Sequence, residues 1–290
     1  MELIEQEVRV RCPEREIEAT LVLPKDEDDK PRPAVVVIHE IFGPDAHIKD
    51  VARRFARQGY AAIAPNLFTG ELSATLTPAN IALAMQAFAQ APPDLRRDPT
   101  RFAAFAAEQP PERRPVLEAF GVVSSPAQQE KFALDLLAVT RYLRTLPQVR
   151  GMGVGSVGFC FGGAMSGRLA TVDPELQAAI IFYGQNPPLD LVPRIRASVL
   201  GLYGAEDPGI TATVPQLAEA MARAGRSFEY HVYPGAKHAF FNDTRSTTYH
   251  PASAEDAWPR VLAFFGSHLG PTANAATAPV GGKHRGIDPL

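Results

Sequence analysis

Two apolar patterns alternate along this chain. Residues 3–12 and 17–23 alternate apolar with polar positions, Val8, Val10 and Cys12 falling on one side, and Pro13-Glu14 turns between them. That pattern predicts an antiparallel hairpin. Residues 33–38 (Pro-Ala-Val-Val-Val-Ile) are instead continuously apolar, as expected of a central strand buried on both faces. Residues 60–65, 154–157, 176–183 (above all 178–183), 199–203 and 228–232 read as further strands. Between them, apolar residues recur at helical spacing over 45–58 (Ile48, Val51, Ala52, Phe55), 128–146 (Phe132, Leu136, Val139, Leu143) and 252–269 (Trp258, Val261, Phe264, Phe265). Shorter helices are predicted at 164–170 and 214–223, and Gly59, Pro147 and Gly225 supply stop signals. Strands alternating with helices imply an α/β fold, with a mostly parallel central sheet and helices on both faces.

Between residues 66 and 126 the texture changes. Residues 70–76 read as a loop and 78–90 as an Ala-rich helix. Pro92, Pro93, Pro99, Pro110, Pro111 and Pro115 then break the chain into short helical pieces. Arg96, Arg97, Arg101, Arg113 and Arg114 gather there. A Pro-rich insertion after a strand's C-terminal end is either a lid over a site or a solvated excursion. The expected organisation is one domain over 1–270, with 66–126 as insertion and possible lid. A flexible C-terminal tail is expected at 271–290.

Composition narrows the functional classes. A net charge of −3 gives no reason to expect nucleic acid or an anionic membrane as partner. No apolar run approaches the roughly 20 residues that span a bilayer, and the first residues lack the basic and apolar parts of a signal peptide. The expectation is a cytoplasmic protein, monomer or homodimer, acting on a small molecule. Cys12 and Cys160, the two cysteines, lie in unlike contexts, which favours a lone reactive thiol over a disulfide. Cys12, in the first strand, has nothing nearby to activate it.

Cys160 is different. It stands between the end of a buried strand and a helix of small residues, with Gly158 and Gly162 two positions to either side. This is the nucleophile-elbow spacing with a thiol in place of the hydroxyl. A nucleophile on so sharp a turn is in strained φ/ψ, and its neighbours must let the chain pass without Cβ clashes. The helix that follows aims unpaired N–H groups at the sulfur and favours negative charge there. Gly-rich turns also bind phosphate, and free cysteines also sit inert in cores, so the context decides. In parallel sheets, sites gather at the carboxyl ends of the strands, and Glu40, Cys160, Asp207 and His238 all fall there. The order nucleophile, acid, histidine is that of the α/β-hydrolase triad. Cys160 would attack an acyl carbon, His238 would serve as base and acid, and Asp207 (or Glu206 next to it) would orient the imidazole. The backbone N–H groups of Ile41 and Phe161 would hold the oxyanion.

Four segments carry a resemblance: Gly158-Phe159-Cys160-Phe161-Gly162-Gly163, His39-Glu40-Ile41-Phe42-Gly43, Gly204 with Asp207, and His238-Ala239-Phe240-Phe241-Asn242. They resemble the dienelactone hydrolase family (carboxymethylenebutenolidases) over about residues 5–270, the insertion aligning poorly. The resemblance implies an α/β-hydrolase fold, a Cys-His-Asp triad, no cofactor and no metal. It implies that Glu40 contacts the resting thiol and assists its deprotonation when substrate binds. It also implies that arginines bind a substrate carboxylate, and here the chain departs from the pattern. The lid arginine is unassigned among Arg96, Arg97, Arg101, Arg113 and Arg114. The one after the histidine is replaced by Phe240-Phe241-Asn242-Asp243, with Arg245 further on. Arg245, Phe42 and Phe240 are therefore the candidate substrate contacts. The expected activity is hydrolysis of an ester or lactone through a thioester, of the dienelactone-to-maleylacetate type. The alternatives are a general carboxylesterase or thioesterase and, from another class, a non-catalytic or redox-sensing thiol protein.

Overall fold

The computed structural model describes residues 1–25, 30–90 and 99–272. Its organisation follows from the strand at Ala34–Ile38 (β3), all five residues of which are buried. Ala34, Val36 and Ile38 join one hydrophobic cluster, while Val35 and Val37 join another on the opposite face. Successive side chains of a strand point to opposite faces, so two covered faces require the unbroken apolar run seen in the sequence.

Around β3 lie β1 (Leu3–Arg11), β2 (Glu16–Pro24), β4 (Ala61–Pro65), β5 (Val154–Phe159), β6 (Ala178–Phe182), β7 (Ser198–Gly204) and β8 (Phe228–Tyr233). Among the described residues they form one eight-stranded sheet in the order β1-β2-β4-β3-β5-β6-β7-β8. β3 to β8 pair parallel, whereas β1 and β2 form the expected antiparallel hairpin, with β2 antiparallel to β4. One face is covered by α1 (Ala46–Arg57) and α10 (Pro251–His268), through Ile48, Val51, Phe55, Val261 and Phe265. The other is covered by α6 (Pro126–Thr145), α7 (Phe161–Val172) and α9 (Val214–Arg223), through Phe132, Leu136, Leu169, Leu217 and Met221. Each fully buried side chain of this kind contributes about 1.5–3 kcal/mol. A further helical turn, α8 (Pro208–Thr211), follows β7.

The insertion forms α2 (Glu71–Thr75), α3 (Pro78–Gln90), α4 (Pro99–Ala107) and α5 (Arg114–Ser124). Ile81, Ala84, Leu117 and Phe120 extend the cluster on the α6 side. The loop expected at 70–76 is a short helix. Its Leu76 N–H reaches Leu72 O at 2.7 Å, and Ser73 Oγ donates to Gly70 O. One turn is too short to leave a periodic signal. Where the insertion leaves the sheet, Arg15 holds it. Its guanidinium donates to Leu67 O and Thr69 O at 2.8 Å each and pairs with the buried Asp135 at 2.7 Å. The tail expected at 271–290 lies, from residue 273 on, outside the described residues. No helix among the described residues is long and apolar enough to cross a membrane.

Candidate active site

β5 delivers Cys160 to the end of the sheet at a tight turn. Its φ is 56°, a left-handed conformation that side chains rarely adopt. The turn is pinned on both sides: Cys160 N–H donates to Phe182 O at 3.0 Å, and Cys160 O accepts from Ala164 N–H at 3.2 Å. α7 therefore starts at Phe161, three residues before the helix read from the sequence. The glycine spacing has a steric origin. A Cβ on Gly158 would lie 1.8 Å from Gly162 O, and one on Gly162 would lie 2.2 Å from Ile38 O. The strand, the helix and the end of β3 touch backbone to backbone. The half-buried Cys160 side chain thus meets the start of a twelve-residue helix, whose first N–H groups have no intrahelical acceptor.

The loops after β7 and β8 bring the acid and the base. They are stitched together by Ala205 N–H to Tyr233 O and Glu206 N–H to Ala236 O, both 2.9 Å. His238 Nδ1 donates to Asp207 Oδ2 at 2.5 Å, while Glu206 next to it is exposed. Cys160 also acts on the imidazole. Burial is the largest influence on His238 and works against its charged form. The negative charge of a Cys160 thiolate and the hydrogen bond to Asp207 together outweigh it, so the imidazole is held well above its ordinary value.

Glu40 follows β3 and is 2% exposed. Its carboxylate accepts from Asn242 Nδ2 at 2.9 Å and from Tyr183 Oη at 3.4 Å. The Arg245 guanidinium lies 3.7 Å from Glu40 Oε2 and stacks 3.7 Å above the Phe42 ring. The hydrogen bonds of Glu40 thus go to Asn242 and Tyr183 rather than to the Cys160 thiol. Among the described residues the Ile41 N–H has no acceptor, and Phe161 opens α7. Both groups are therefore available to a developing oxyanion. Behind them His39 fixes the backbone. Nδ1 bonds Glu40 O at 2.6 Å, Nε2 accepts from Leu67 N–H at 3.1 Å, and the ring packs against Phe68 and Phe161. Burial pushes the His39 imidazole down to about 4, so it is neutral.

The structure does not treat every expected residue alike. Arg245 and Phe42 stand together beside Glu40. Phe240 is fully buried, packed against Phe182, Tyr183 and Tyr233. It follows Ala239, whose φ is 61°, and is part of the core wall. Arg96 and Arg97 lie outside the described residues. Exposed Arg114 donates to Gln109 O at 3.2 Å within the insertion. Among the described residues no three His, Cys, Asp or Glu side chains are grouped as metal ligands would be.

Tyr183 and Asn242 were missed as site residues. Tyr183 reads as the end of a buried strand, and Asn242 as part of a family segment and as the place of an absent arginine, with no role of its own. The signal that marks the region is conformational. The non-glycine residues with positive φ among those described are Cys160, Tyr183 and Ala239. All three lie at or next to the site, as strained backbone tends to. That signal is invisible in sequence.

Comparison with known proteins identifies the family. The model of the dienelactone hydrolase family matches residues 17–269. A protein of Saccharolobus solfataricus named "Putative carboxymethylenebutenolidase" is 37% identical over 262 residues, covering 90% of this chain and 98% of that protein. One of the same name from Escherichia coli strain K12 is 32% identical over 255 residues, covering 84% and 80%. A solved structure from Klebsiella pneumoniae, described as a "Putative Dienelactone Hydrolase", superposes with a TM-score of 0.66 at 31% identity, covering 92% of this chain and 99% of that one. With its mostly parallel sheet, nucleophile turn and family match, this chain is a hydrolase of the α/β-hydrolase fold and belongs to the dienelactone hydrolase family.

Proposed function

We propose that the protein hydrolyses a carboxylic ester or lactone through a thioester on Cys160. The observation that carries the reading is His238 bonded to Asp207 at the carboxyl end of the sheet, where its charged form is also favoured by Cys160. His238 takes the thiol proton, and the sulfur attacks the acyl carbon. The oxyanion forms against the N–H groups of Ile41 and Phe161. The C–O bond then breaks, and the leaving oxygen takes its proton from His238. Water, deprotonated by His238, attacks the thioester and releases the carboxylate and the thiol. With a lactone, both products stay on one molecule. Glu40 assists the first proton transfer, as the family pattern implies.

Arg245 and Phe42 favour a substrate that carries a carboxylate beside an unsaturated ring or chain, and a dienelactone has that form. The test is turnover of a dienelactone and of a neutral aryl ester by the wild type and by Cys160→Ala. Loss of both activities in a folded variant is expected, and retained turnover would exclude the thioester route. A marked preference for the neutral ester in the wild type would favour the general carboxylesterase or thioesterase reading instead.

A further inference from the structure

We infer that Tyr183 and Asn242 form a two-donor clamp on Glu40 and are positioning residues for its part in activating Cys160. The inference rests on the thioester reading and concerns the same site. Each carboxylate oxygen has its own donor, Tyr183 Oη on Oε1 at 3.4 Å and Asn242 Nδ2 on Oε2 at 2.9 Å. The Asn242 amide has one sensible orientation, because its Oδ1 accepts from Thr244 N–H at 3.1 Å and from Thr244 Oγ1 at 2.6 Å. The NH2 group is thereby directed at Glu40. The loop itself is fastened to α1, where Asp243 pairs with Arg54 and with His47.

Tyr183 is held just as firmly. It is fully buried, its N–H donates to Leu202 O at 2.9 Å, and its ring lies 5.2 Å from that of His238 and 5.4 Å from Phe240. Its φ of 38° is unusual for an aromatic residue. A flexible surface carboxylate needs no such support. Burial, then the charge of Glu40, keep the phenol well above its ordinary value, so it stays a donor. The charged and titratable groups against Glu40 are Tyr183 and Arg245, and Tyr183 in turn packs near His238 and feels the charge of Cys160. The clamp fixes the carboxylate in place until substrate arrives. Loss of a donor disfavours the charged form of a carboxylate.

Tyr183→Phe removes one hydroxyl and keeps the ring. The measurement is the pH dependence of Cys160 alkylation by iodoacetamide and of kcat/KM for a neutral aryl ester. The acid limb of both is expected to move to higher pH by about one unit, with KM changed less than about twofold. Asn242→Asp, which places a second carboxylate against Glu40, is expected to move it further in the same direction. Profiles that superpose on the wild type would overturn the inference, as would a uniform fall in rate with no movement of the limb. Because Cys160→Ala tests the thioester separately, a clamp that fails with an inert Cys160→Ala leaves the reaction standing. A Cys160→Ala variant that still turns over removes both.

Discussion

The two thiols of this protein share a side chain and little else. Cys12 is buried just beyond β1, where its Sγ donates weakly to Val10 O and Asp135 O. Burial first, then the Asp135 carboxylate, push that thiol up to about 12. Cys160 stands at a helix N-terminus on a left-handed turn, half-buried, with an imidazole beside it. Apolar packing and a neighbouring carboxylate silence a thiol, whereas unpaired N–H groups and a base make it useful. On the proposed mechanism, the difference lies in the surroundings of the sulfur.

The largest expected break in this contrast comes from the turn itself. Gly158→Ala would place a methyl 1.8 Å from Gly162 O, backbone against backbone. We expect turnover to fall at least about a thousandfold, with Cys160 losing its advantage over Cys12 toward iodoacetamide. Normal turnover in this variant would mean that the elbow can relax.

Asp207→Asn keeps the shape and removes the charge beside His238. Turnover should drop about a thousandfold or more, as loss of the orienting acid does in other triads. The pH dependence of stability has a definite sign. The folded imidazole is held above its ordinary value, so its contribution is complete below about pH 6.5 and fades as pH rises through the raised value. The gap in Tm between wild type and Asp207→Asn should therefore be wider near about pH 6 than near about pH 9. A gap that widens with pH would show that His238 is not the group stabilised.

The smallest effect is expected at Cys12. Cys12→Ala should leave kcat/KM within about twofold and cost on the order of 1 kcal/mol of stability, read by urea unfolding. In the wild type, one equivalent of iodoacetamide should label Cys160, with Cys12 reacting only in denaturant. Rapid labelling of Cys12 in the native protein would erase the distinction.

Much of this was legible in the chain. β3 and β6 stand out because burial on both faces leaves no polar positions. The order of Cys160, Asp207 and His238 is a property of the sequence itself. What escaped depends on contacts that no periodicity records. Tyr183 turns from strand residue to site residue through a single φ value. Asn242 gains its role from Thr244 and Glu40, which lie on opposite sides of it in the chain. The burial of Phe240 was not legible either, because adjacency to His238 says nothing of which way a side chain packs. The one turn of α2 is too brief to show a period.

His39 has a consequence for how such a protein diversifies. Its neutral ring ties the loop bearing Ile41 to Leu67, among the first residues of the insertion, and Arg15 secures the carbonyls of Leu67 and Thr69 there. Both moorings fall within the opening residues of a sixty-residue excursion. Length and sequence beyond them can drift without displacing the loop that bears Ile41. A lineage could thus change the molecules it accepts while inheriting the reaction unaltered.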